Sequence, residues 1–173
     1  MSVEEYIWNG PESPEIYHPR LPLGQLLLYY LAKSPLKVTQ VCADSSVELT
    51  CGEMSNLMTN IAHNLMDLGL KTGDVVGIVA KNTTYLAPAV FGCILIGAQI
   101  NPLDPTFIAQ DVLQMYQQTK PKLVFCDNDN VDNVQSALNT MQSNAQIILL
   151  TNKLPGYLHI SEFMMEPKVF HEM

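Results

Sequence analysis

The chain has 173 residues and a net charge of −8, which is enough sequence for one domain with a sizeable core. Its pI of about 4.8 and its scattered Lys and Arg residues argue against a face that neutralises nucleic-acid phosphates. Charged residues make up only 15% of the chain, well below the usual quarter. We therefore expect that further protein covers part of its surface.

The N-terminal region and the cysteines indicate an intracellular protein. The first 20 residues are acidic and polar, unlike a signal peptide or a transit peptide. Their three prolines and lack of periodicity predict an extended arm over residues 1–20. The four cysteines include no CxxC pair, which favours buried thiols in a reducing compartment over a disulfide framework. The four histidines have no metal-ligand spacing.

Two helices and a pair of strands are predicted next. A first helix is indicated by apolar residues at helical spacing: Leu23, Leu26, Leu27, Tyr30 and Leu31. Residues 37–50 predict two short strands around a turn at 44–46. Thr50 and Glu53 form a capping box that opens the second helix. Gly69 is a candidate left-handed C-cap that ends it.

Strands and helices alternate over the rest of the chain. The expected strands are 74–80, 98–101, 122–126 and 146–150, and the helices between them include 85–95, one capped by Thr106 and one running to Met141. Short links between such elements predict an α/β fold, with helices packed on a mostly parallel sheet. The most apolar stretch, 86–100, is about 15 residues long, whereas a membrane helix needs about 20. We therefore expect no transmembrane segment.

Two matches to catalytic motifs are better explained as turns. Residues 34–37 fit S-x-x-K and residues 71–73 fit K-T-G, both elements of serine β-lactamases. The Ser follows a predicted helix, the K-T-G precedes a predicted strand, and no S-D-N joins them. The same G-L-K-T-G-D segment runs from helix to strand, the wrong direction for a phosphate-binding loop.

The segment 127–133, D-N-D-N-V-D-N, begins like a calcium-binding loop. Asp132 stands where that loop needs glycine, and Leu138 where it needs glutamate. We expect instead a turn in which Asp129 or Asn130 caps the following helix. Because parallel sheets hold ligands at the carboxyl ends of their strands, a flavodoxin-like small-molecule site formed by the loops after Ala80 and Cys126 is a further hypothesis.

The order of elements over residues 20–150 resembles the N-terminal region of the adenylate-forming enzymes: the acyl-CoA synthetases, 4-coumarate–CoA ligases and beetle luciferases. The segment Q-T-K-P-K-L-V-F-C-D resembles the S-x-P-K-x-V-F strand of that family. The other matching positions are Leu68-Gly69-Leu70, Gly73-Asp74-Val75, Asn82, Gly97-Ala98 and Asn101-Pro102. The resemblance implies a partial N-terminal AMP-binding subdomain over 21–165, incomplete as a domain, followed by a tail over 166–173.

The resemblance also implies where the family's chemistry lies. Its ATP-binding loop and catalytic lysine belong to later segments, so no catalytic, cofactor-binding or metal residue can be assigned to this chain. ATP, Mg²⁺ and coenzyme A are expected as cofactors of the parent enzyme and not of this chain. The expected partner is the remainder of the adenylation domain or a full-length relative, and the expected location is cytosolic or peroxisomal. The alternative is a free-standing, non-catalytic binding or regulatory module.

Overall fold

The computed structural model describes residues 10, 11 and 16–166. Most of the predicted arm at 1–20 and nearly all of the predicted tail at 166–173 lie outside the described residues. The first helix, α1, is Leu23–Ala32, and an antiparallel hairpin of β1, Val38–Val41, and β2, Glu48–Thr50, follows it. Both elements are confirmed as predicted.

The second helix, α2, is Cys51–Asp67 and has both predicted ends. The Thr50 hydroxyl accepts a hydrogen bond from the Glu53 amide at 3.2 Å, and the Glu53 carboxylate accepts one from the Thr50 amide at 2.8 Å. Gly69 follows the helix with φ +96°, a conformation that glycine adopts without steric cost. The helix therefore begins and ends where its local sequence indicates.

The remaining elements confirm the predicted alternation. They are β3 Val75–Val79, α3 Leu86–Ile96, β4 Gln99–Pro102, α4 Ala109–Thr119, β5 Leu123–Cys126, α5 Val131–Thr140, β6 Gln146–Leu149 and β7 Leu158–His159. A short 3-10 helix, Ile160–Glu162, follows β7. None of the helices in the described part of the chain has both the length and the apolar character that a membrane span requires.

A five-stranded parallel sheet in the order β4-β3-β5-β6-β7 forms the centre of the fold. Helices α2 and α3 cover one face, where the core includes Ile61, Cys93 and Phe125. Helices α4 and α5 cover the other face, where the core includes Val124 of β5 and Tyr116 of α4. With both faces covered, the central strands are apolar along their whole length, as is typical of parallel sheets.

Two predicted helix caps are wrong in detail. Helix α4 begins at Ala109 rather than beside Thr106; the Thr106 amide and hydroxyl both donate to Asp104 Oδ1, at 2.8 and 2.7 Å. Asn130 occupies the N-cap position of α5, but its side chain caps no helix amide. The Asn130 side-chain amide donates instead to Asp127 Oδ1 at 2.8 Å.

Candidate functional site

The loops at the carboxyl ends of β3 and β5 form a crevice. The connection after β3 leads to β4 on one side, and the connection after β5 leads to β6 on the other side. Open α/β sheets hold ligands at the point where the direction of the connections reverses in this way. The crevice has a volume of about 420 Å³ and is lined by residues including Lys81, Asn82, Asp127 and Asn128. The loops after Ala80 and Cys126 both line it, and the small-molecule site hypothesised for them stays a prediction.

Asp127 binds the two loops together. The residue is only 4% exposed; Oδ2 accepts a hydrogen bond from the Lys81 amide at 2.9 Å, and Oδ1 accepts one from the Asn130 amide at 3.1 Å. Lys81 Nζ also lies 2.8 Å from Asp129 Oδ2, on the exposed rim. The Lys81 ammonium lowers the pKa of the Asp129 carboxyl, and Asp129 in turn raises the pKa of Lys81.

The Asn128 side chain forms hydrogen bonds with the residues that follow β6. Asn128 Oδ1 accepts hydrogen bonds from the Thr151 hydroxyl and from the Asn152 amide, the latter at 2.8 Å. The Thr151 carbonyl is in turn 2.9 Å from His159 Nε2. Within the described residues, no group of three His, Cys, Asp or Glu residues is arranged to hold a metal ion. In the calcium-like segment, the side chains of Asp127, Asn128 and Asp129 form contacts with neighbouring loops.

The β1–β2 hairpin closes one side of the crevice. Gln40 Nε2 donates to the Thr84 carbonyl at 2.8 Å, which places the hairpin beside the β3 loop. Cys42 lines the crevice at the end of β1. Hydrogen bonds from the side chains of Ser45 and Thr84 lower the pKa of the Cys42 thiol to about 7. No local sequence pattern singles out this cysteine, because one of its two side-chain partners, Thr84, lies in the loop after β3.

Cys51, Cys93 and Cys126 are buried, as the sequence predicts for thiols in apolar segments. Burial raises the pKa of the Cys93 thiol and of the Cys126 thiol to about 12.

The β-lactamase-like motifs lie where the sequence predicts. Residues 34–37 follow α1, and residues 71–73 form a turn before β3, so the two segments provide no catalytic pair.

The sequence profile described as AMP-binding enzyme matches residues 30–163. The chain belongs to this family. The match runs from α1 to the short helix after β7, and so includes the whole parallel sheet. The chain corresponds to an N-terminal segment of the adenylate-forming enzymes, as the resemblance implied.

Curated relatives are much longer than the matched segment. An acyl-CoA ligase of Beauveria bassiana is 26% identical over 153 residues, which are 86% of this chain and 26% of that enzyme. The 4-coumarate–CoA ligase 3 of Arabidopsis thaliana is 21% identical over 77% of this chain and 25% of its own length. The malpinin synthetase of Mortierella alpina is 28% identical over 69% of this chain and 2% of its own length.

Solved structures share the fold of this family member. A luciferase-like enzyme from the mealworm Zophobas morio superposes with a TM-score of 0.79 at 19% identity, over 87% of this chain and 36% of its own. A red-emitting luciferase from Phrixothrix hirtus has a TM-score of 0.79 at 15% identity, over 95% of this chain and 40% of its own. At these identities, the superpositions establish the α/β architecture.

The polar groups of the crevice do not fit Mg²⁺ and ATP. Mg²⁺ is normally held by carboxylates together with the phosphates of its nucleotide. Both oxygens of Asp127 accept hydrogen bonds from within the fold, and Asp129 pairs with Lys81, the lysine of the crevice. A nucleotide would therefore compete with contacts that join β3 to β5.

Proposed function

We propose that this chain is the N-terminal scaffold of an acyl-CoA ligase-type enzyme. The whole enzyme would activate a carboxylic acid with ATP to form an acyl-adenylate and then transfer the acyl group to coenzyme A. The match to the AMP-binding enzyme family over residues 30–163 carries this proposal. Curated acyl-CoA and 4-coumarate–CoA ligases that match over 86% and 77% of the chain support it.

In this proposal, the segment supplies structure, and the residues for ATP, Mg²⁺ and coenzyme A are supplied by other parts of the domain. The hydrogen bonds of Asp127 with the Lys81 and Asn130 amides, and of Asn128 with the Asn152 amide, support this division, because they give these polar groups of the crevice a structural role. The chain alone would then neither bind Mg-ATP nor adenylate a carboxylate. The acyl substrate is not specified by these residues.

A small-molecule site in the crevice is the second candidate function, and it is favoured by one observation. The crevice lies at the reversal of strand order and has a volume of about 420 Å³, within the range of ligand pockets. A ligand bound there would contact the loops after Ala80 and Cys126. This candidate predicts nucleotide binding by the chain alone, which the scaffold proposal excludes.

Titration of Mg-ATP into the purified chain separates the two candidates. The scaffold proposal predicts no heat of binding and no change in the melting temperature at millimolar nucleotide. A ligand at 100 times its Kd stabilises a fold by about 2.7 kcal/mol, which is a shift of several degrees for a domain of this size. A saturable shift that Asp129→Ala or Lys81→Met abolishes would overturn the scaffold proposal in favour of the crevice site.

A further inference from the structure

Helix α1 exposes an apolar side to solvent. Its sequence, L-G-Q-L-L-L-Y-Y-L-A, contains no charged residue. The inner side of the helix packs on the domain through Gly24 and Leu31, which are both buried. On the outer side, Leu23, Tyr29 and Tyr30 are 56%, 57% and 47% exposed. A surface helix normally places charged and polar residues on its outer side, so the exposed side of α1 needs an explanation.

The segment that precedes α1 extends this apolar surface. Tyr17 and Leu21 line a cavity of about 420 Å³ together with Leu26 and Tyr29 of the helix. The Tyr17 and Tyr30 rings meet edge to face, with their centroids 6.3 Å apart, and their hydroxyls share a hydrogen bond. Leu23 lies one helical turn before Leu26, on the same side of α1. These contacts join six residues into one surface, which we call the α1 face: Tyr17, Leu21, Leu23, Leu26, Tyr29 and Tyr30.

Two basic residues border the α1 face. Lys33 Nζ lies 4.3 Å from the centroid of the Tyr29 ring and 4.6 Å from that of the Tyr30 ring. Arg20 is exposed and directly precedes Leu21. Within residues 16–166, neither Arg20 nor Lys33 forms an ion pair with a carboxylate. Both cations can therefore meet an anionic group on another surface.

The charge around α1 has the opposite sign to that of the whole chain. Residues 16–43 contain Arg20, Lys33 and Lys37 and none of the 17 acidic residues, although the chain carries a net charge of −8. Glu12 and Glu15 precede this segment in the sequence and lie outside the described residues. Salt at 0.1 M screens charges beyond about 10 Å. A surface that touches the α1 face therefore meets the local positive charge more strongly than the acids of more distant elements.

We propose that the α1 face docks on the surface of a membrane that contains anionic phospholipids. The leucines enter the boundary between headgroups and acyl chains, and the tyrosine rings lie at the level of the headgroups, where such amphipathic rings concentrate. Arg20 and Lys33 then meet the acidic headgroups, which attract basic residues. Such attachment to one leaflet requires no spanning helix. The inference goes beyond the scaffold proposal and does not depend on it.

An anionic membrane explains the α1 face better than a second copy of the chain does. A two-fold dimer places the same patch on both sides of its interface, which would bring the Arg20 and Lys33 side chains of two copies together. The segment 16–43 contains no acid to pair with them. A small apolar ligand is also a poorer fit, because Leu23 and Tyr30 do not line the cavity and would stay in water. A lipid surface covers the whole face and supplies the missing negative charge.

The test is sedimentation of the full chain with sucrose-loaded vesicles. One set of vesicles contains equal parts of phosphatidylcholine and phosphatidylserine, and the other contains phosphatidylcholine alone. We expect the chain to sediment with the mixed vesicles and to stay mostly in the supernatant with phosphatidylcholine. Raising NaCl from about 0.1 M to about 1 M shortens the Debye length from about 10 Å to about 3 Å and should release most of the bound protein.

Two variants test the two parts of the α1 face. Arg20→Gln combined with Lys33→Gln should lower the partition coefficient on mixed vesicles about 25-fold, because each basic residue near an anionic surface contributes about fivefold. Leu23→Asp should lower it at least tenfold, because it removes an apolar contact and adds a negative charge. Circular dichroism and a melting curve for each variant separate a lost surface from a lost fold.

Each variant has a matched control on another part of the molecule. Ile108→Asp adds the same charge as Leu23→Asp at a residue that is 61% exposed, but Ile108 precedes α4 on the other face of the sheet. Lys120→Gln combined with Lys153→Gln removes two exposed cations that lie outside the segment 16–43. Both controls should sediment with the mixed vesicles to within about twofold of the unmodified chain, because the local charge of the α1 face is unchanged.

Four outcomes would overturn the membrane surface. They are a folded chain that stays in the supernatant with mixed vesicles, equal binding to phosphatidylcholine alone, unchanged binding of Leu23→Asp, and a control that loses as much binding as its matched variant. A dimer that Leu23→Asp dissociates, without vesicle binding, would overturn it in favour of a second copy. The scaffold proposal is tested separately, because the Mg-ATP titration is performed without vesicles.

Discussion

Asp74 and Lys122 join the amino-terminal ends of two neighbouring parallel strands, β3 and β5. Lys122 Nζ lies 2.9 Å from Asp74 Oδ2 and 2.5 Å from the Gly69 carbonyl oxygen. Asp74 Oδ2 also accepts a hydrogen bond from the Lys71 amide at 2.7 Å. Hydrogen bonds from the Lys122 ammonium and then from the Lys71 amide hold the pKa of the Asp74 carboxyl below its usual value. Asp74 and Lys122 therefore connect the turn after α2 to the sheet.

Replacing Lys122 with Met should lower the free energy of unfolding by about 1 kcal/mol, the upper range for a solvent-accessible pair. The Asp74 and Lys122 side chains are 28% and 46% exposed, so solvent screens part of their attraction. The measurement is the urea midpoint at pH 7. Lys81→Met, which breaks a more exposed pair with Asp129, should have a smaller effect. Equal effects of the two substitutions would contradict a special role for Lys122.

The same pair should make stability depend on pH. Because the folded pKa of Asp74 is depressed, its contribution is fully present above the unfolded pKa, about 3.9 for Asp, and is lost as pH falls through the lower folded pKa. The difference in stability between the unmodified chain and Lys122→Met should therefore shrink below about pH 4. Urea melts at pH 7, 5 and 3.5 measure it. A difference that is constant over this range would contradict the assignment.

The ring of Tyr116 occupies the space above Gly77 that a side chain would need. A Cβ atom at Gly77 would lie 2.7 Å from Tyr116 Cζ, and Tyr116 is completely buried. Gly77→Ala should therefore destabilise the fold by about 1–3 kcal/mol, as overpacking does. Thermal or urea unfolding measures the change. A neutral Gly77→Ala would show that α4 can move away from β3 at little cost.

Tyr116→Phe is the contrasting variant. The Tyr116 hydroxyl is buried and has no hydrogen-bond partner among the described residues, and burial raises the pKa of this phenol far above its ordinary value. Removing an unsatisfied polar group is nearly neutral or stabilising. We expect Tyr116→Phe to keep or raise the urea midpoint. A loss of more than about 1 kcal/mol, the typical net worth of a hydrogen bond, would reveal a partner for the hydroxyl.

Cys42 should be the reactive thiol of the chain. Its pKa is lowered to about 7, first by the Ser45 side chain, whereas Cys93 and Cys126 have pKa values of about 12. Alkylation by iodoacetamide should rise through an inflection near pH 7, because only the thiolate reacts. Cys42→Ser should remove the fast phase, and Ser45→Ala should move the inflection to higher pH. A rate that keeps rising to pH 9 in the unmodified chain would contradict the lowered pKa.

The strands and their parallel arrangement could be predicted because their signal is local. A strand buried on both faces, such as β5, is a short apolar run, and it alternates with segments of helical period. The capping box of Thr50 and Glu53 is also a local pattern, three residues apart. For these elements the neighbouring residues decide the structure, and the sequence-based prediction is confirmed.

The two wrong helix caps and the unforeseen long-range contacts were missed for other reasons. Thr106 does not cap α4; its amide and hydroxyl donate to Asp104, two residues away, in a turn of its own. The bond between Asp127 and the Lys81 amide joins residues 46 positions apart, and it exists only because β5 lies beside β3. The lowered pKa of Cys42 likewise needs Thr84 from another element. The contacts of Asp127 with Lys81 and of Cys42 with Thr84 depend on how distant elements pack together, which no local pattern contains.

The most direct test of the scaffold proposal is ATP–pyrophosphate exchange by the purified full chain. The assay is supplied with Mg-ATP, labelled pyrophosphate and a panel of aliphatic and aromatic carboxylic acids, and the intact Arabidopsis thaliana 4-coumarate–CoA ligase 3 serves as the positive control. The proposal predicts exchange at the level of the no-enzyme blank for every acid. Carboxylate-dependent exchange by the chain alone would contradict it.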